Sequence, residues 1–97
     1  MAAGANACVL HYRADVAPLR DGELVLIDAG CELDGYASDI TRAFPANGVF
    51  SGPQRDLYNL VLASQEAAVA ATKAGARFTD PHDATVRVLS QGLLDLG

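Results

Sequence analysis

Two carboxylates, Asp28 and Asp39, have the type and spacing to do chemistry in this chain of 97 residues. Asp28 interrupts the apolar run Leu24-Val25-Leu26-Ile27 and is followed by Ala29. A carboxylate buried in such a run costs on the order of several kcal/mol unless it is paired, hydrogen-bonded or bound to metal. Between the two acids lies Asp34-Gly35, a strong hairpin signal, because a type I′ turn needs positive φ at both central positions. With that pair as a two-residue turn, Leu33 faces Tyr36, Asp28 faces Thr41 and Asp39 faces Gly30. Side chains alternate along a strand, so Asp28, Asp39 and Thr41 share one face. Asp39 is then the diagonal neighbour of Asp28, ~7–8 Å away by backbone and closer at the carboxylate tips. Two carboxylates converging there must share a proton or hold cations between them. Gly30 leaves room for an ion or a substrate. One extra turn residue would shift the register. Oxygen donors suit a hard cation such as Mn²⁺ or Mg²⁺, with Zn²⁺ or Co²⁺ admitted if imidazole joins.

Other readings compete at this point. Ser38, Asp39 and Thr41 could be a polar strand end, with Asp28 paired to Arg42 or to a cap. An acid–base dyad of the glycosidase or aspartic-protease type is also open on spacing alone. An EF-hand is excluded: Leu33 sits where the loop needs glycine, Asp39 replaces the bidentate Glu, and the flanks read as strands. His11, between Leu10 and Tyr12, is either a hydrogen-bonded core histidine or a proton donor and substrate contact beside the carboxylates. His82 falls in the first turn of a helix and reads as a surface or helix-end residue. No HxxxH or HExxH pattern occurs, so the chain holds no complete metal site.

The elements that must position these groups are strands first and helices second. Cys8 to Tyr12 is a short strand candidate. Asp21-Gly22 supplies a turn. Leu24 to Cys31 reads as a strand buried on both faces, and Tyr36 to Phe44 as its partner, ended by Pro45, Asn47 and Gly48. Ser51 can cap a helix, with Pro53 in its first turn and Gln54 at the capping-box position. That helix should run to about Lys73, with Gly75 as its stop. Its Ala-rich stretch from Ala67 to Ala74 permits close packing on a sheet. Thr79-Asp80-Pro81 opens a second helix in the same way, with Val86, Leu89 and Leu93 at helical spacing.

Composition narrows the function classes. Half of the residues are hydrophobic (51%), which indicates a folded chain. The net charge of -5 and the scattered basic residues, with a single Lys, leave no positive face for nucleic acid. No stretch approaches the ~20 apolar residues that span a bilayer, and the short apolar start lacks the basic region of a secretory signal. Cys8 and Cys31 lie in apolar runs without a CxxC, so they read as buried free thiols. The expected compartment is the cytoplasm.

The runs Leu24 to Glu32 and Gly35 to Gly48 closely resemble aminopeptidase P, the Xaa-Pro aminopeptidase of the pita-bread metallopeptidase superfamily. Asn6 to Tyr12, Phe50 to Tyr58 and Gly92 to Gly97 fit as well. Prolidases are similar in the Phe44-to-Gly48 stretch, but Leu26 to Glu32 with Thr41-Arg42 favours aminopeptidase P. The resemblance implies removal of the N-terminal residue from peptides with proline at position two. It implies two divalent metals, usually manganese, held by two Asp, one His and two Glu, and a water acidified by both metals that attacks the scissile carbonyl. Asp28 matches the Asp that binds one metal with both oxygens, and Asp39 the Asp that bridges the two. His11 matches an active-site His that contacts substrate without binding metal, and Thr41 would stand behind the metals. The family's remaining His and two Glu have no counterpart here.

The expectation is therefore an α+β fold, a partial pita-bread domain. An antiparallel hairpin in a curved sheet is followed by two helices packed on one face. Residues 1–97 would form a single partial catalytic domain, the first half of the pita-bread domain, without its C-terminal half or the N-terminal domain. Alone the chain should be inactive and, with its metal face open, prone to self-association, whereas the full enzyme would be a homo-oligomer. A non-catalytic pita-bread binding module is the alternative, disfavoured because such relatives lose metal ligands and both Asp28 and Asp39 are kept.

Overall fold

The computed structural model describes residues 1–13 and 17–97. They form two compact units, Met1–Ser51 and Gly52–Gly97.

The first unit holds the strands β1 (Ala2–Ala3), β2 (Leu24–Ala29), β3 (Glu32–Leu33), β4 (Tyr36–Ala37) and β5 (Ile40–Pro45). β1, β2 and β5 make an antiparallel sheet in that order, and β3 pairs with β4 at the tip of the same hairpin. Asp34 (φ 52°) and Gly35 (φ 85°) both take positive φ, as a type I′ turn requires. The Glu32 carboxylate accepts the Gly35 N–H at 3.0 Å and closes the turn. Leu33 pairs with Tyr36 and Asp28 with Thr41, the register expected from the sequence.

The return strand is not continuous. Gly30-Cys31 and Ser38-Asp39 lie outside the strands. There Ser38 N donates to the Cys31 carbonyl at 2.8 Å, and Cys31 N donates to Ser38 Oγ at 3.0 Å. A Cβ at Gly30 would collide with the Ser38 carbonyl oxygen. Glycine is needed there for close backbone approach; the space expected for an ion or substrate is filled by the backbone of Ser38 on the returning strand.

Three further expectations are corrected. β2 is not buried on both faces: Val25 is 1% exposed, Leu24, Leu26 and Ile27 are half-buried, and Asp28 and Ala29 are exposed. The two-residue β1 pairs only with Val25 and Leu26, so among the described residues the end of β2 that carries Asp28 is paired on one side alone, with β5. Cys8 and Cys31 are free but exposed, for the same lack of cover. The strand expected over Cys8 to Tyr12 does not form. Gly4 (φ 54°) turns the chain out of β1 into a 3-10 helix, Gly4–Cys8, and Leu10-His11 make a turn with His11 at φ 56°. The place beside β2 is taken by Ala2–Ala3, and the small residues Ala5, Asn6 and Ala7 coil rather than extend.

The second unit is the helix pair α1 (Gly52–Ala71) and α2 (Asp80–Leu96). Pro53 and Pro81 sit in the first turns, where a missing N–H is harmless. α1 stops two residues short of Lys73, with Thr72 Oγ1 donating to the Ala68 carbonyl; Gly75 (φ 87°) lies in the connection. Thr79 makes no side-chain cap. Instead Asp80 accepts the Arg77 N–H at 2.8 Å and pairs with Arg77 Nε at 3.2 Å. The inward stripe of α2 is also rotated from expectation. Ala84, Thr85, Val88, Leu89 and Gly92 are half-buried, whereas Val86 and Leu93 are exposed. Gly92 decides this, because a Cβ there would collide with Leu60 of α1. The smallest residue, rather than the bulkiest, receives the Leu60 side chain of α1. His82 is exposed in the first turn of α2, as expected.

Candidate metal centre

β2 carries Asp28 and the start of β5 carries Thr41, directly opposite each other. Asp39 precedes β5 by one residue and lies on the same side. The three side chains converge. Hydrogen bonding with Asp39, then with the Thr41 hydroxyl, lowers the pKa of Asp28, and the nearby positive charge of His11 acts in the same direction. The pKa of Asp39 is raised by its hydrogen bond with Asp28 and by that residue's negative charge. When the pair holds one proton, these shifts place it on Asp39, with Asp28 as the acceptor. Both residues are exposed, so the burial cost anticipated for Asp28 does not arise. What marks the site is convergence of like charges rather than desolvation.

His11 reaches this face from its left-handed turn rather than from a strand. A non-glycine residue there costs roughly 1–2 kcal/mol, and His is among the types that tolerate it. His11, Val9, Leu10, Leu26, Asp28 and Thr41 line one recess of about 420 Å³. Arg42 is not the partner of Asp28. It stands opposite Ile27, on the other face, and donates from Nη1 to the Thr41 carbonyl at 2.8 Å. The polar-strand-end reading thus loses its ion pair.

The donor chemistry fits part of a hard-cation site. Two carboxylates bound by a shared proton offer oxygen ligands where a cation can replace that proton. Among the described residues no group of three or more His, Cys, Asp or Glu side chains is placed to hold a metal ion, so those residues supply only part of a coordination sphere. Sequence reading passed over Asn6 and Tyr12, which brace the His11 turn through a hydrogen bond of 3.2 Å; neither residue type nor spacing marks them.

Comparison with known proteins bears on this geometry. The sequence matches Metallopeptidase family M24 over residues 1–96. The Xaa-Pro aminopeptidase of Haemophilus influenzae is 53% identical over 97 residues, covering 100% of this chain and 23% of that protein. The solved structure of Pseudomonas aeruginosa aminopeptidase PepP superposes with a TM-score of 0.95 at 56% identity, covering 99% of this chain and 22% of that one. A zinc-substituted Escherichia coli aminopeptidase P in complex with product matches with a TM-score of 0.91 at 46% identity, over 98% of this chain and 22% of that one. Two matched structures of the same enzyme are aspartate-to-alanine variants at positions with the same separation as Asp28 and Asp39. The chain thus spans under a quarter of the length of the relatives it matches.

Proposed function

The chain belongs to metallopeptidase family M24, and from that premise we propose that it forms the first carboxylate-bearing part of a dinuclear-metal Xaa-Pro aminopeptidase. The reading rests on one observation above the rest: Asp28 and Asp39 converge on one face, beside a recess that Asp28 lines, closely enough that each shifts the pKa of the other. The names of the similar proteins favour an aminopeptidase over a prolidase. Retention of both carboxylates favours a catalytic member over a binding module.

In this reading Asp28 and Asp39 would hold divalent cations, two in number and manganese for preference, as carboxylate ligands. Thr41 fixes the orientation of Asp28 by hydrogen bonding. His11 contacts the bound peptide, whose second residue is proline, and donates a hydrogen bond to it. When bound, the metal pair supplies Lewis acidity and a water acidified enough to attack the scissile carbonyl at neutral pH. Two carboxylates cannot complete that site, so the chain by itself does not turn over. No helix of the described residues is long and apolar enough to cross a membrane. A cytoplasmic location is supported by the two free thiols, and the working enzyme is read as a homo-oligomer.

The test is hydrolysis of an Xaa-Pro peptide with Mn²⁺. The intact protein that carries this segment should cleave it, and Asp39→Asn should lower kcat by roughly 10²–10³-fold, the scale of losing one charge-stabilising group at a reacting centre. The 97-residue chain should give no turnover. Turnover by the chain above a metal-only blank, or full activity in Asp39→Asn, would overturn the proposal.

A further inference from the structure

Within the segment Val9 to Arg13 only Tyr12 is half-buried; Leu10 is 89% exposed and His11 is exposed. Among the described residues of the segment, Tyr12 is therefore the anchor of the left-handed turn at His11. Its hydroxyl accepts a hydrogen bond from Asn6 Nδ2 at 3.2 Å. The carbonyl of the same Asn6 accepts the Val9 N–H at 3.1 Å. Asn6 thus ties both ends of the four residues Val9 to Tyr12 to the 3-10 helix. Tyr12 also lines two recesses, the one that holds His11, Asp28 and Thr41, and a second of about 390 Å³ beside Asn6, Leu19 and Glu23.

We propose that Tyr12, held by Asn6, is a positioning residue that fixes the left-handed His11 turn beside Asp28 and so sets where His11 meets a bound peptide. This rests on the reading of His11 as a substrate contact. The physical reason is economy of constraint. A strained, exposed turn relaxes unless its surroundings over-determine it, and Asn6 with Tyr12 are the side chains that do so here. Loss of either partner should let His11 return to negative φ while the hairpin below it stays intact.

Two measurements decide it. In NMR spectra of the 97-residue chain, His11 should show the strong intraresidue HN–Hα contact of positive φ. Tyr12→Phe and Asn6→Ala should each weaken it, with the Asp28–Thr41 cross-strand contacts unchanged. In the intact metal-loaded protein, Tyr12→Phe should lower kcat by roughly tenfold through misplacement of His11, at unaltered thermal stability. That loss should vanish in a His11→Ala background. An undisturbed His11 signal in both variants, or an equal loss of kcat with and without His11, would overturn the positioning role. If the intact protein cleaves no Xaa-Pro peptide at all, the functional reading fails instead, and the NMR result still decides the role of Tyr12.

Discussion

At the scale of single residues, the Asp28–Asp39 pair behaves as one proton-sharing unit. The lowered pKa of Asp28 means that its favourable contribution is present above the unfolded value and is lost as pH falls through the folded one. The raised pKa of Asp39 has the opposite sign: its contribution is present below the unfolded value and is lost as pH rises through the folded one. The pair is therefore most favourable in the acid window between the two folded pKa values, with one proton bound. Carboxyl ¹³C titration of the metal-free chain should show Asp28 ionising first and Asp39 later; a reversed order or coincident curves would refute the sharing. A cation that displaces this proton should bind more tightly as pH rises across the window. Thr41→Val removes a hydrogen bond that favours ionised Asp28, so the Asp28 titration should move to higher pH, with the hairpin register intact by cross-strand contacts. The common face of these groups was legible from alternation about the Asp34-Gly35 turn. Their exposure was not, because an apolar run such as Leu24 to Ile27 says nothing about how far the neighbouring strand extends. Nor was the His11 turn legible, since apolar neighbours suit a strand and a turn equally.

At the scale of elements, the hairpin is set by two glycines with different duties. Gly35 has open space around a Cβ but φ of 85°, so Gly35→Ala should cost only the conformational term, roughly 1–2 kcal/mol. At Gly30 a Cβ would meet backbone, the Ser38 carbonyl, which cannot swing aside. Gly30→Ala should therefore spread the strands, cost about 1–3 kcal/mol, and separate Asp28 from Asp39. Denaturant unfolding of the two variants checks the stability terms. Gly30→Ala should abolish cation binding, whereas Gly35→Ala should weaken it less; equal effects would refute the close-approach role. Turn chemistry and helix starts were readable because Asp-Gly and the prolines act locally. The 3-10 helix Gly4–Cys8 and the two-residue β1 were not, because both are too short to show a period. The face of α2 was misread because Gly92, invisible to a hydrophobic pattern, brings the helices together.

At the scale of the whole molecule, each unit leaves apolar surface in solvent. Leu33, Tyr36 and Ile40 are exposed on the hairpin, as are Phe78 and Leu94 in the second unit. Val25 is the buried hydrophobic side chain among the described residues. Such surface favours self-association, and the net charge of -5 offers modest repulsion. Sedimentation of the chain should show concentration-dependent oligomers that salt strengthens by screening; a monomer unchanged by concentration and salt would contradict this. The α+β fold followed from strand signals preceding helix signals. That the chain spans only part of its relatives was expected from the family resemblance, while the share itself, under a quarter of their length, came from comparison.

The most direct test of the central claim is Mn²⁺ titration by calorimetry on this chain beside its Asp39→Asn variant. Weak binding that is abolished by the substitution is the expected result, since the hairpin alone brings both carboxylates to one face. Equal binding by the two chains, or none by either, would contradict a cation site preformed by Asp28 and Asp39.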